Sequence, residues 1–363
     1  MAHIYIYSPS GAVRDKAAYR RGIKRLEALG HQVEQDRDAL STFQRFAGDD
    51  EVRLAAIARA AASGADMVLP TRGGYGLTRL LPRLPYRDMA HAIAHGTLFV
   101  GLSDFTALQL ALLAREGLET PTWAGNLLLA DWGQAEEPDD ITQACFEELL
   151  DGSSEGAGWY VTKRQEPEDE LPALEAPVRD ATLWGGNLCV LTSLLGTPYF
   201  PHVEGGVLFL EDVAEQPYRI ERMLTQLLHA GVLDRQRAIL LGQFTDYRRL
   251  PQDRGFGMPA VVRWLRTQTR TPIFTGLPHG HVPTKVMLPV GARVDFEVEG
   301  RDRLLMWGHS PFPSHDHDHD HDHDHDHDHD HDHDHDHDHD HDHDHDHDHD
   351  HDHDHDHAGR PAA

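Results

Sequence analysis

The alternation of strand-like and helix-like segments through the first third of the chain limits its fold more than any other feature. Short apolar runs at Ile4 to Tyr7, His31 to Glu34, Met67 to Pro70 and Thr97 to Gly101 read as strands. Between them, Asp15 to Leu29, closed by Gly30, and Glu51 to Ala62 carry the apolar spacing of helices. Strands separated by helices pair in parallel through right-handed crossovers, which predicts an α/β fold on a doubly wound parallel sheet. Ligands of such sheets settle beyond the carboxyl ends of the strands. Three loops leave strand ends here, Ser8-Pro-Ser-Gly11, Arg72-Gly-Gly-Tyr-Gly76 and Gly101-Leu-Ser-Asp104, and all three are expected to meet in one crevice.

The third loop places Ser103 where a buried strand gives way to a helix carrying Phe105, Leu108, Leu112 and Leu113 on one side and ended by Gly117. Asp104 is expected to cap that helix. Unsatisfied N–H groups at the start of a helix suit an oxyanion, so nucleophile and anion site come together at such a junction. The usual nucleophile elbow reads Gly-x-Ser-x-Gly, and the second glycine is missing here. An ordinary helix start accounts for the same residues.

A serine needs a base, and the base needs a carboxylate to orient it. Outside a terminal repeat there are nine histidines, of which His281 and His279 lie in the glycine-bearing loop Gly276-Leu-Pro-His-Gly-His281 after a strand at Pro272 to Thr275. Glu211 ends an apolar strand that begins at Val207, and strand alternation turns Asp212 to the opposite face, so at most one of the two is expected at a given site. Spacing alone chooses neither the histidine nor the acid. The Arg72 to Gly76 segment suits a tight turn or an anion-binding nest; no Lys-Ser/Thr pair follows it, which disfavours nucleotide binding.

Gln165 to Asp180 is rich in Glu, Pro, Asp and Ala and reads as a linker. The expected division is therefore residues 1–164, a linker at 165–180, a second domain at 181–311 and a tail at 312–363. The second domain reads as a mixed unit with helices early and antiparallel strands late. Its segments are a Gly185-Gly-Asn187 turn, an apolar helix through Leu195, the strand from Val207 and a helix bearing Ile220, Leu224, Leu227 and Leu228. A strand at Ala238 to Leu241 follows, with alternating segments at Lys285 to Leu288 and Arg293 to Val298.

From His315 to His357 the sequence is a strict His-Asp alternation, which holds 22 of the 31 histidines and 21 of the 61 acidic residues. Without it, 40 acids face 33 Lys and Arg, so most of the net charge of −28 belongs to the repeat. No position in it is apolar, and disorder is expected. Its imidazoles are neutral above a pH of about 6.5, which makes it a pH-responsive polyampholyte and a loose ligand set for zinc or nickel, a second candidate function independent of catalysis. Removing the residues after Ser314 is then expected to strip bound metal, read by elemental analysis, and to spare any catalysis by the folded part. The absence of a basic stripe argues against nucleic acid as a partner. Cys145 and Cys189 read as buried reduced thiols. With no signal-like N-terminus and no run of eighteen apolar residues, no membrane partner and a cytoplasmic location are expected.

Five segments together resemble the LD-carboxypeptidase family, the muramoyltetrapeptide carboxypeptidases, over nearly the whole chain up to about residue 311. They are Arg72-Gly-Gly-Tyr-Gly76; Gly101-Leu-Ser-Asp-Phe-Thr-Ala-Leu108; Leu183-Trp-Gly-Gly-Asn-Leu188 with Leu195-Gly-Thr-Pro-Tyr199; Leu208-Phe-Leu-Glu-Asp212 with Pro217-Tyr-Arg-Ile-Glu-Arg-Met-Leu224; and Gly276-Leu-Pro-His-Gly-His281 with Leu288-Pro-Val-Gly291. The resemblance implies Ser103 as nucleophile, His281 as base and Glu211 as the residue that orients it. It also implies a flavodoxin-like N-terminal domain, a smaller β-rich α+β C-terminal domain, a homodimer, and removal of the terminal D-alanine from murein tetrapeptides in cell-wall recycling without a cofactor. Backbone N–H groups of Asp104 and Gly74 are the expected oxyanion donors, and Arg72 the expected partner of the substrate carboxylate. A non-catalytic peptide-binding module is the remaining alternative. His279 departs from the family pattern, which tends to an aromatic or other residue there.

Overall fold

The computed structural model describes residues 1–117, 121–167, 170–248 and 250–308, all within one contact unit, Met1–His315. Its first sheet contains, in spatial order, Gln32–Gln35 (β2), His3–Tyr7 (β1), Met67–Pro70 (β3), Leu98–Gly101 (β4), Thr122–Ala124 (β5) and Leu288–Val290 (β11). Strands β1 to β5 pair in parallel in the order 2-1-3-4-5, the flavodoxin-like winding. The second sheet runs Ile273–Phe274 (β10), Ala238–Thr245 (β9), Val207–Val213 (β8), Val178–Asn187 (β7), Arg293–Glu299 (β12), Asp302–Met306 (β13) and Gly156–Tyr160 (β6). Its half from β7 to β10 is parallel and its half from β7 to β6 antiparallel, in keeping with helices early and antiparallel strands late.

The two sheets exchange strands. Leu288, near the far end of the chain, pairs antiparallel with Ala124 of β5, and β6 from the first half pairs with β13. The Lys285 to Leu288 segment thus contributes its strand, three residues later than expected, to the first sheet.

Local chemistry explains the helices. Asp15 caps Lys16–Ala28 (α1) by accepting from Ala17 N and Ala18 N, each at 2.9 Å, and the helix buries Tyr19, Ile23 and Leu26 at its own period. Pro217 starts Pro217–His229 (α7), where its missing N–H costs nothing, and Ile220, Leu224 and Leu227 go into the core. Each such aliphatic side chain contributes about 1.5–3 kcal/mol of burial.

The helix after Ser103, Thr106–Glu116 (α4), departs from expectation in two ways. Every residue from Thr106 to Leu112 is buried, because the helix packs against β7 and Leu188–Ser193 (α6) as well as the first sheet, so its apolar surface is not confined to one side. Asp104 does not cap it. Ser103–Phe105 form a single 3₁₀ turn without a side-chain cap, and the Asp104 carboxylate turns inward to Ser10 and Leu77. Likewise Gly185 to Asn187 is no turn but the end of β7, in register with Phe209, Leu210 and Glu211 of β8.

Candidate active site

The three loops at the carboxyl ends of β1, β3 and β4 do meet. Gly11 N donates to Gly73 O at 3.2 Å, Ser10 Oγ to the Asp104 carboxylate at 2.5 Å, and Leu77 N to the same carboxylate at 2.9 Å. Burial holds the Asp104 carboxyl above its ordinary range, against the pull of these donors. Ser103 is thereby held at φ +68°, a left-handed conformation that costs a non-glycine residue about 1–2 kcal/mol. Gly73 makes room for it: a Cβ there would stand 2.7 Å from Ser103 Cβ and 2.9 Å from its Oγ.

Ser103 and Gly74 lie on the wall shared by two cavities. One, of about 270 Å³, is also lined by Arg72, Leu127, Leu129 and His281. The other, of about 630 Å³, is lined by Tyr75, Asn187, Cys189, Tyr199, Asp212 and Glu215. Arg72 has no acidic partner and Gly74 N–H no acceptor among the described residues, so both keep free donors at the smaller cavity.

His281 lines the smaller cavity together with Ser103, its Nδ1 stands 2.7 Å from Glu211 Oε2, and Glu211 is fully buried. A carboxylate only accepts, so Nδ1 carries the proton and Nε2 of the neutral ring keeps its lone pair. Burial, the largest single influence, pulls the imidazole pKa down, but the hydrogen bond and charge of Glu211 outweigh it and the net shift is upward. Ser103 Oγ and His281 share the smaller cavity without a hydrogen bond between them. Such bonds are commonly loose until substrate is present.

Strand alternation should have sent Asp212 away from Glu211. Instead Asn187 Nδ2 reaches both, at 3.2 Å to Glu211 Oε1 and 3.0 Å to Asp212 Oδ1. The register against β9 shifts at the same place: Leu210 pairs with Leu241, yet Asp212 pairs with Phe244, one extra residue on β9. Burial first, and then the Glu211 charge, raise the Asp212 pKa to about 6. Because its folded pKa lies above the unfolded one, Asp212 favours folding most below pH about 4, and that contribution is lost as the pH rises through about 6.

The structure separates the two histidines. His279 is 0% exposed, its Nδ1 bonds Val286 O at 2.9 Å, its ring edge meets Phe209, and burial lowers its pKa to about 4. It is a neutral core residue beneath the loop. Replacing it by Gln is expected to lower stability by about 1–3 kcal/mol while leaving turnover per folded molecule within a few-fold of wild type, read by thermal unfolding and kcat together. A loss of kcat as large as that of His281→Gln would exchange their roles.

Neither cysteine is fully buried as expected. Both are half-buried free thiols whose pKa values burial raises, and Cys189 faces the larger cavity. Among the described residues no group of three His, Cys, Asp or Glu is arranged to hold a metal ion, and no helix is long and apolar enough to cross a membrane. The expected metal binding and disorder of His315 to His357 lie outside the described residues.

Against this geometry, the LD-carboxypeptidase N-terminal domain description matches residues 4–123 and the C-terminal domain description residues 180–296. The chain belongs to the LD-carboxypeptidase family. A probable murein peptide carboxypeptidase of Bacillus subtilis is 30% identical over 74% of this chain and 80% of its own. The crystal structure of a muramoyltetrapeptide carboxypeptidase from Oxalobacter formigenes is 35% identical, covers 85% of this chain and 99% of its own, and superposes with a TM-score of 0.74. MccF in complex with glutamyl sulfamoyl guanosine shares the fold at a TM-score of 0.72 and 21% identity, covering 84% of this chain and 95% of its own. Family membership accounts for the pairing of a flavodoxin-like sheet with a mixed second sheet.

Asn187, Thr106 and Gly73 were not singled out in the sequence as site residues. All three stand inside the family segments, but only the packing shows what they touch.

Proposed function

We propose that the chain is a serine-type LD-carboxypeptidase that removes the terminal D-alanine from murein tetrapeptides, at the bond after the L-centre of the diamino acid. The observation that carries this reading is that His281, hydrogen-bonded to Glu211, lines one cavity together with Ser103. In this reading Ser103 Oγ attacks the diamino-acid carbonyl while His281 Nε2 takes its proton, and Glu211 holds the tautomer and stabilises the imidazolium. The oxyanion is met by the N–H groups of Asp104 and Gly74. His281 then protonates the departing amine of D-alanine, whose carboxylate pairs with Arg72, and water hydrolyses the acyl-serine by the reverse roles. Nucleophile and anion site come from residues 1–164, base and carboxylate from 181–311. The reading includes a cytoplasmic homodimer acting in cell-wall recycling without a cofactor.

Mass spectrometry of the protein incubated with murein tri-, tetra- and pentapeptide tests the substrate. Loss of one alanine from the tetrapeptide alone is the expected result, and no loss from any of them would refute the assignment.

The pH profile tests the base. Activity needs a neutral imidazole, so the acidic limb of kcat/KM is expected above pH 6.5, the direction of the His281 shift. In Glu211→Gln the main raising influence is removed and burial is left as the largest one, so the limb is expected to move down in pH with a much reduced rate. An unchanged limb would separate His281 from the titration. The folding contribution has the opposite dependence on pH: a raised imidazole pKa stabilises the fold fully below about 6.5, and that gain is lost as the pH rises through the folded value.

A further inference from the structure

Asn187 ends β7 and is 4% exposed, and every polar group of the residue apart from its carbonyl is engaged with a different part of the site. Its backbone N–H donates to Thr106 Oγ1 at 3.0 Å, three residues beyond Ser103. Its two carboxamide hydrogens go to Glu211 and Asp212, and its Oδ1 accepts from Val190 N at 3.1 Å to cap α6. The amide orientation is forced, since carboxylates accept only and a backbone N–H donates only. The approach to α4 is equally specific. Gly186, at φ +130°, would carry a Cβ 2.6 Å from Thr106 Oγ1.

These contacts rest the nucleophile's helix and the base's carboxylate on one residue. We propose that Asn187 is a positioning residue for the reaction. Through Glu211 it fixes the orientation of His281, and through Thr106 it fixes the distance from that imidazole to the Ser103 turn. This rests on the serine reading above. Misplacement of reacting groups by about 1 Å costs on the order of 100-fold in rate, which sets the scale for a residue that bridges the two halves of a site.

The test uses the full chain and D-alanine release from murein tetrapeptide. Asn187→Asp keeps an oxygen for Val190 N–H but sets a third acid beside Glu211 and Asp212. Asn187→Ser, which caps helices as well as Asn and removes the amide donors without adding charge, is therefore measured with it and must show the same loss, with thermal unfolding checking the fold of both. We expect kcat to fall about 10- to 100-fold with KM within about threefold of wild type. Asn187→Asp/Glu211→Gln should be no slower than Glu211→Gln alone, because a residue acting through Glu211 has nothing left to orient. Thr106→Val, of the same shape without the hydroxyl, should lower kcat in the same direction at unchanged KM. A wild-type kcat in Asn187→Asp, or losses that multiply with those of Glu211→Gln, would overturn the proposal. Ser103→Ala runs alongside. If it stays active the serine reading falls and this inference with it; if it is inactive while Asn187→Asp matches wild type, only the inference falls.

Discussion

Ser103→Ala is expected to lower kcat on murein tetrapeptide by about 10⁴-fold or more, the scale on which triad nucleophiles act, with no loss of folding. The hydroxyl is the only thing removed. Ala inherits the same left-handed backbone, and the turn is held by contacts that do not involve the hydroxyl, from Ser10 and Leu77 to the neighbouring Asp104. Ser103→Gly sharpens the test, since it also removes the nucleophile but relieves the strain at φ +68°. That relief is about 1–2 kcal/mol, and the greater chain entropy of glycine returns about 0.5–1 kcal/mol of it. A dead Ser103→Gly with a melting temperature equal to or above wild type is the expected result. Near-wild-type hydrolysis by either variant would remove Ser103 from the chemistry.

The largest effect on stability is expected at Lys285→Met. Lys285 and Asp131 form an ion pair with side chains only 3% and 2% exposed. The pair ties the segment after His281 to the turn at Leu128–Trp132, whose Leu129 and Ala130 line the smaller cavity. Asp131 also accepts from Leu127 N at 2.7 Å, so its position is set from both sides. Removing only the ammonium leaves a buried charge without its counter-ion, a loss of about 3–5 kcal/mol. Replacing both, as Lys285→Met/Asp131→Asn, should recover most of it, because no charge is then left buried and the Asn oxygen still accepts from Leu127 N. Urea unfolding of both variants measures this, and a single variant as stable as wild type would show that the pair contributes nothing.

Much of the architecture was legible because its signals are local. Strand–helix alternation led to a parallel sheet, and the loops carrying Gly11, Gly73 and Ser103 met where strand ends of such a sheet must lie. Errors arose where a residue's partner is distant in sequence. Asp104 has the side chain of a cap, yet Ser10 and Leu77 claim its carboxylate. Glu211 and Asp212 are neighbours on one strand, yet Asn187, at the end of the adjacent strand, reaches both carboxylates. The strands at Gly156–Tyr160 and Leu288–Val290 join sheets assembled from the opposite half of the chain, which local apolar pattern cannot register.

By its own residues the chain determined the winding of the first sheet, the strand-to-helix position of Ser103 and, through five spaced segments, its family. Those properties follow from periodicity and from backbone demands met within a few residues. Tertiary structure alone decided that His281 rather than His279 meets Glu211, and that Ser103 and His281 open on one cavity. Two histidines separated by a single glycine have almost the same local sequence, so only the packing around each, a buried carboxylate partner for one and an apolar core for the other, sets them apart.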